Sequence, residues 1–75
     1  MIKDKYDLLK YLVAFMSSDT HRFKDPEHRI TQMIGGRKES EYLSELKSDG
    51  LINVYIGEIE VLDAGINLII KLNDI

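Results

Sequence analysis

The spacing of apolar residues along the chain predicts four helices, and the first of them spans Asp4 to about Met16. Apolar residues at positions 8, 9, 12, 15 and 16 recur at intervals of three and four, which places them on one helical face. Lys5, Asp7 and Lys10 fall on the rest of the turn. The residues at 17–20, SSDT, favour a turn and should end this helix.

A short strand and a second helix are expected next. Residues 20–24, THRFK, predict one brief edge strand around Phe23. Asp25 before Pro26 signals a helix start, because an Asp carboxylate accepts hydrogen bonds from free N–H groups and proline at the first helical position loses no needed donor. We expect this helix to run from Pro26 to about Ile34 and the glycines at 35 and 36 to stop it. The side chains expected to be buried are Ile30, Met33 and Ile34.

A third helix is predicted from about Arg37 to Ser48, and its end is the best-determined feature of the sequence. With Gly50 as the left-handed residue after the helix, Leu51 falls where it packs back on Leu46, as a Schellman cap requires. The inward-facing side chains should be Tyr42, Leu43 and Leu46.

A β-hairpin should follow, with Gly57 and Glu58 as its two-residue turn. Glycine at the first central position suits a type II′ turn, and this register pairs Ile56 with Ile59. It also sorts the side chains into an apolar and a polar face. The apolar face would consist of Val54, Ile56, Ile59 and Val61.

The last segment, AGINLIIKLNDI, predicts a fourth helix capped by Asp63 and apolar on two sides. Ile66, Ile69 and Ile70 line one side, while a second side carries further apolar residues. Both this segment and the wide stripe of the first helix could be buried within one chain, but two apolar sides favour a homodimer or a larger partner. The predicted interface residues are Tyr11, Val13, Leu68, Leu72 and Ile75.

Composition narrows the class of protein. The 75 residues are 44% hydrophobic and 31% charged, which is typical of one folded domain over residues 1–75. There is no cysteine, so disulfides and thiolate sites are excluded, and a cytoplasmic location is expected. The longest apolar run, Tyr11 to Met16, is far too short to cross a membrane, and no membrane association is expected.

Catalytic and metal-binding chemistry finds little support. The serines lack a plausible base, and no phosphate-binding loop is present, so we expect neither an enzyme nor a cofactor. His21, Asp25 and His28 have the spacing of ligands on a helical face, but Pro26 interrupts such a helix and no fourth ligand is near. No metal site is expected.

Charge is distributed unevenly along the chain. Residues 21–38 carry five basic and two acidic residues, whereas residues 39–75 carry two basic and eight acidic residues. The net charges of these segments are therefore +3 and −6, and any binding hypothesis must account for the difference.

The order helix, short strand, helix, tight turn, helix, hairpin resembles a winged helix. Residues 29–52, RITQMIGGRKESEYLSELKSDGLI, are similar to the helix-turn-helix core of bacterial regulators of the MarR, ArsR and PadR type, and IEVLDAGINLI is similar to a following family segment in which glycine stands one place later. The residues of the LxxLxxxGLI-like pattern are Leu43, Leu46, Gly50, Leu51 and Ile52. The resemblance implies an α+β winged-helix fold, and the small size suggests a protein of the phage or mobile-element kind.

By this resemblance, the third helix would enter the major groove of duplex DNA and the protein would act as a dimeric transcriptional regulator. Base-reading positions would be Arg37, Lys38, Ser40, Glu41 and Ser44. Phosphate contacts would come from Arg22, Lys24, Arg29 and Lys47. The acids Glu39, Glu41 and Glu45, with Glu58 expected at the wing tip, would repel phosphate. They favour an alternative, a protein-interaction module that uses its acidic third helix and wing or its apolar last helix.

Overall fold

The computed structural model of the protein describes residues 1–73, which form four helices and a three-stranded antiparallel sheet. The strand order is β1-β3-β2, so the first strand pairs with the last one and lies at a sheet edge. The predicted α+β class is confirmed, while Ile75 lies outside the described residues. The elements are α1 (Lys5–Phe15), β1 (Arg22–Lys24), α2 (Arg29–Ile34), α3 (Gly36–Ser48), β2 (Ile52–Tyr55), β3 (Glu58–Val61) and α4 (Asp63–Asn73).

The core forms where α1 packs against α3, α4 and the inner face of the sheet. The Asp4 carboxylate begins α1 by accepting the Asp7 N–H at 2.9 Å, and the three- and four-residue spacing then turns a leucine stripe inward. Burial of this apolar surface is the main stabilising term. The buried apolar residues are Leu8, Leu9, Leu12, Phe23, Ile30, Leu46, Leu51, Ile52, Ile59, Val61 and Ile69.

The end of α3 confirms the predicted Schellman cap. The Leu51 N–H donates to the Leu46 carbonyl and the Gly50 N–H to the Lys47 carbonyl, both at 3.0 Å. Gly50 has φ +76°, the left-handed conformation that this cap requires. The cap therefore fixes the angle at which the chain leaves α3 and enters β2.

Replacing Gly50 by alanine should lower the free energy of unfolding by about 1 kcal/mol, because an L residue is strained at this φ. A Cβ at position 50 would have nothing within 4 Å, so no steric clash adds to the strain. Thermal denaturation should show a melting temperature lower by roughly 4–8 °C. Gly50→Asn is the matched control, since asparagine tolerates this conformation better and should lose less. Equal losses for both variants would contradict the strain argument.

The second helix starts at Arg29, so the predicted start at Pro26 is wrong by three residues. Asp25 still caps it, since its carboxylate accepts the N–H groups of Arg29 at 2.8 Å and Ile30 at 3.1 Å. The intervening residues form a turn instead, with His28 in the left-handed conformation at φ +53°. The resulting six-residue helix turns one line of side chains inward, so Ile30 is buried and Ile34 half-buried, whereas Met33 is exposed, contrary to expectation.

The hairpin register differs from the prediction by two residues. Tyr55 pairs with Glu58 and Val54 with Ile59, so the two-residue connection is Ile56 and Gly57. Gly57 takes φ +74° at the second central position, as in a type II turn, rather than at the first. A shift of two keeps the predicted face of Val54 and Ile59 but moves Ile56 to the fully exposed tip. The pairing of β3 with β1 favours this register, because it sets Lys24 directly across from Glu58.

The last helix begins at Asp63, which lies in its first turn, so the prediction that Asp63 precedes the helix as its cap is wrong by one residue. The backbone supplies the start, since the Ile66 N–H donates to the Leu62 carbonyl at 3.1 Å. Gly65 and Ile69 are buried, as expected of one core-facing side. The assignment of sides was partly wrong, because Leu68 packs on the core while Ile70 is exposed.

Candidate nucleic-acid interface

The solvent-facing side of α3, called here the outer face, carries polar side chains that the sequence assigned to DNA contact. Tyr42, Leu43 and Leu46 turn inward as predicted, with Leu46 completely buried. At 3.6 residues per turn the opposite side of the helix must then face solvent. The outer face consists of Arg37, Ser40, Glu41, Ser44 and Lys47, all of which are exposed.

The acids of α3 are distributed over different sides of the helix. Glu39 is half-buried and accepts a hydrogen bond from the Thr31 hydroxyl of α2. Glu45 is directed toward α1, with its Oε1 atom 3.9 Å from Nζ of Lys5. Glu41 lies on the outer face and makes no ion pair within residues 1–73, while the Glu45 side chain remains 49% exposed. The expectation from the amino-acid sequence placed all three acids on one face and therefore overstated the negative charge there.

Lys5 of α1 interacts more closely with Asp49, at the end of α3, than with Glu45. Its Nζ atom donates to Asp49 Oδ2 at 2.9 Å, and this hydrogen bond raises the pKa of Lys5 above its usual value. The interaction is at the protein surface, where ion pairs contribute little to stability. Its consequence is local: Lys5 partly compensates the charge of Asp49 and, at 3.9 Å, of Glu45 on the side of α3 next to α1.

The cations predicted to contact the bases or phosphates of DNA fall into two groups. Arg22 Nη1 lies 2.8 Å and Lys24 Nζ 3.9 Å from the Glu58 carboxylate, and Arg29 contacts Glu27 at 3.2 Å. Glu58 thus partly compensates the positive charge of Arg22 and Lys24 on the sheet, and Glu27 partly compensates that of Arg29. Within residues 1–73 a second group makes no ion pair: Arg37, Lys38 and Lys47.

Glu58 occupies a place that the sequence did not predict. It lies in β3 on the solvent side of the sheet rather than at the wing tip, and its hydrogen bond raises the pKa of Arg22. The Arg22 guanidinium also lies 5.0 Å from the centre of the Tyr55 ring, a cation–π distance. The sheet therefore presents Arg22, Lys24 and Glu58 as a compensated charge cluster rather than an unpaired Glu58 carboxylate.

Changing Glu58 to glutamine should leave Arg22 and Lys24 available to phosphate. If duplex DNA reaches this side of the sheet, the affinity of the protein for DNA should rise about two- to fivefold at low salt, the range expected of one exposed ion pair. Glu27→Gln, which leaves Arg29 without its carboxylate partner, is the matched control on the other side of α2. Fluorescence anisotropy measures both. A fall in affinity for Glu58→Gln would show that the bridge supports the binding conformation instead.

Lys38 lies at the edge of the outer face, next to the N-terminal segment. Its Nζ atom is 5.7 Å from the centre of the Tyr42 ring, and the Tyr42 hydroxyl donates to the Lys3 carbonyl at 3.2 Å. This arrangement places Lys38 beside Arg37 at the start of α3, so the two charges can act on the same ligand.

The tip of the hairpin is apolar. Three consecutive residues are solvent-exposed here: Val54, Tyr55 and Ile56. The whole Ile56 side chain lies in solvent. The sequence placed Ile56 in the apolar face of the hairpin, so its exposure follows from the shifted register. A basic side chain at this tip, as resemblance to a DNA-reading wing would imply, is absent from the turn residues Ile56 and Gly57.

The residues predicted to form an interface between copies separate into three groups. Val13 and Leu68 are half-buried against the core, and Tyr11 packs its ring 5.5 Å from that of Phe23. Leu72 is 38% exposed, and Ile75 lies outside the described residues. Two further apolar residues are exposed on the same helices: Phe15 of α1, at 66%, and Ile70 of α4, at 55%. These two residues were not among those predicted.

Residues 1–73 contain no group of three or more histidine or acidic side chains placed to hold a metal ion. His21 precedes β1 and His28 precedes α2, each in the left-handed conformation. In the same described part of the chain, none of the helices has the length and apolar character needed to cross a membrane.

Comparison of the chain with protein-family models, with curated proteins and with solved structures yields no significant match in any of the three. Any assignment of function therefore rests on the geometry of the surface itself.

Proposed function

We propose that the protein is a winged-helix domain that binds duplex DNA through the outer face of α3. The element order, with a short β1 paired to a hairpin and α3 leading into that hairpin, supports this proposal. In winged-helix and other helix-turn-helix proteins the recognition helix lies in the major groove, with its N-terminal residues at the base edges. Arg37, Ser40 and Glu41 occupy the corresponding part of α3.

The observation that carries the proposal is the separation of charges around α3. Glu39 and Glu45 are directed to α2 and α1, so the outer face carries two cations, Arg37 and Lys47, and the single acid Glu41. Lys38 adds a third cation at its edge. A chain with formal net charge −3 thus offers a locally basic surface where the helix is most accessible.

The number of cations at this surface sets the expected salt dependence of DNA binding. Each phosphate contact contributes a slope of about −0.9 to the dependence of log affinity on log salt, so Lys38 and Lys47, with Arg37 placed at a base edge, predict a slope of roughly −2 for one copy. Such a slope gives weak binding at moderate salt. Association of two copies would double the number of contacts, which favours a dimer as the binding form.

We therefore also propose a homodimer, formed through the apolar residues that α1 and α4 leave exposed. Phe15, Ile70 and Leu72 support it, because single-chain packing does not cover them. Sedimentation equilibrium at several concentrations measures the state directly. A single species of 8.7 kDa at all concentrations would reject the dimer without rejecting DNA binding.

An NMR titration tests where DNA binds. Amide shifts of the ¹⁵N-labelled protein should change on adding a short mixed-sequence duplex, with the largest changes at Arg37, Ser40 and Ser44. Changes confined to the hairpin tip or to α4 would contradict the proposed use of α3.

A second candidate function is protein binding without DNA, and the apolar hairpin tip specifically favours it. Ile56 protrudes fully exposed at this tip, and an apolar side chain so placed is of the kind that marks protein contacts. Ile56→Lys distinguishes the two functions. Under the DNA proposal it should leave affinity for duplex unchanged or raise it, whereas under the protein-binding proposal it should abolish association with the partner.

A further inference from the structure

We infer that Arg37 and Glu41 select two G·C base pairs, with Arg37 reading the guanine of one pair and Glu41 the cytosine of the other. This inference rests on the proposed function, since it requires the outer face of α3 to lie in the major groove. It goes further by assigning the class of sequence that the protein recognises and the two residues that determine it.

Arg37 is placed to read guanine. It is the second residue of α3, exposed, and without an ion pair in the described residues, so its guanidinium is available to a ligand. The planar fork of five N–H donors matches the O6 and N7 acceptors of guanine, and this pairing is the commonest specific contact in the major groove.

Glu41 is the acid whose position needs an explanation. It lies on the outer face one turn after Arg37, where a carboxylate is repelled by phosphate unless it meets a donor. An ionised carboxylate can only accept hydrogen bonds. In the major groove the cytosine N4 amino group is a donor with no adjacent acceptor, whereas adenine sets the N7 acceptor beside its N6 donor. Cytosine is therefore the base that Glu41 tolerates best.

The spacing of these residues predicts the spacing of the bases. A four-residue separation gives a rise of about 6 Å along α3, which corresponds to roughly two base-pair steps. Asparagine and glutamine, the usual readers of adenine, are absent from the outer face: Gln32 lies on α2 and Asn53 on β2. Ser40 and Ser44 complete the face and contact either kind of base pair.

Selection from a pool of random duplexes tests the inference with three proteins: the natural chain, Glu41→Gln and Glu45→Gln. Sites selected by the natural chain should contain two G·C pairs about two steps apart. Glu41→Gln should replace the cytosine preference by adenine at one of them, with a change in relative affinity of about tenfold, because glutamine pairs with the N6 and N7 atoms of adenine. Glu45→Gln removes the same charge from the side that faces Lys5 and should leave the selected sequence unchanged.

The outcomes separate the two proposals. Salt-dependent binding without base preference, or the same selected sequence for Glu41→Gln and the natural chain, would overturn the inference and leave DNA binding in place. An identical shift with Glu45→Gln would also overturn it, because the effect would then be one of net charge. Absence of binding to any duplex at low salt would reject DNA binding, and the inference with it.

Discussion

Replacing both Arg37 and Lys38 by glutamate should lower the affinity for duplex DNA by at least about a hundredfold. The variant reverses two of the three cations that lie on or beside the outer face of α3, none of which makes an ion pair within residues 1–73. Loss of a base-reading arginine alone is worth about 1–3 kcal/mol, and each 1.4 kcal/mol corresponds to a tenfold change in affinity. Repulsion between two new carboxylates and phosphate adds to that loss. Fluorescence anisotropy at low salt measures it.

The matched control reverses two lysines elsewhere. Lys10 of α1 and Lys71 of α4 are exposed and lie on other helices, and Lys10→Glu with Lys71→Glu produces the same change in net charge. This control should retain most of the affinity. If both double variants lose affinity equally, binding depends on net charge alone and the outer face of α3 has no special role.

Replacing Gly65 by alanine should destabilise the fold by about 2 kcal/mol, although alanine is the better helix former. An added Cβ would lie 2.5 Å from the Leu51 carbonyl oxygen and 3.2 Å from Val61 Cγ1. The oxygen belongs to backbone, and it accepts the Leu62 N–H at 3.0 Å, so it cannot move without disturbing that bond. Overpacking of this kind costs about 1–3 kcal/mol, which exceeds the gain of up to about 1 kcal/mol in helix propensity.

Thermal denaturation checks this prediction, and the melting temperature should fall by roughly 8–16 °C in a domain of this size. Gly36→Ala is the matched control, because its Cβ would meet only Thr31 Cγ2 at 3.9 Å and its φ is not positive. That variant should be neutral or slightly stabilising. A melting temperature for Gly65→Ala at or above that of the natural chain would show that α4 can move away from Leu51 freely.

Several features of the fold could be predicted from local sequence because local chemistry determines them. The leucine stripe of α1 follows from helical periodicity alone, and Gly50 with Leu46 and Leu51 specifies the end of α3 through three residues close in sequence. Glu41, Ser40 and the other outer-face residues were assigned by resemblance to a recognition helix, and the burial of Leu46 on the opposite side agrees with their exposure.

Other features depend on contacts between segments far apart in the chain, and sequence reasoning missed them. The hairpin register is favoured by Arg22 and Lys24 of β1, whose pairing with β3 no local pattern reveals. The direction of Glu39 depends on Thr31, and that of Glu45 on Lys5, forty residues earlier. The start of α2 was misplaced for a local reason instead: Asp25 caps a helix that begins only after a left-handed His28.

These contacts change the expected effect of the acidic residues on DNA binding. From the sequence, Glu39, Glu45 and Glu58 oppose DNA binding. In the fold each is engaged by a partner within the protein, namely Thr31, Lys5 or Arg22. The alternative of an acidic protein-binding helix thereby loses its main support, while the apolar hairpin tip supplies the remaining argument for a protein partner.

The measurement that tests the central proposal most directly is anisotropy of a labelled mixed-sequence duplex titrated with the natural chain at low and at moderate salt. The proposal predicts micromolar binding at low salt that weakens with a slope of roughly −2 per copy in log affinity against log salt. No binding at low salt, or binding that salt does not weaken, would contradict the proposal that α3 contacts duplex DNA.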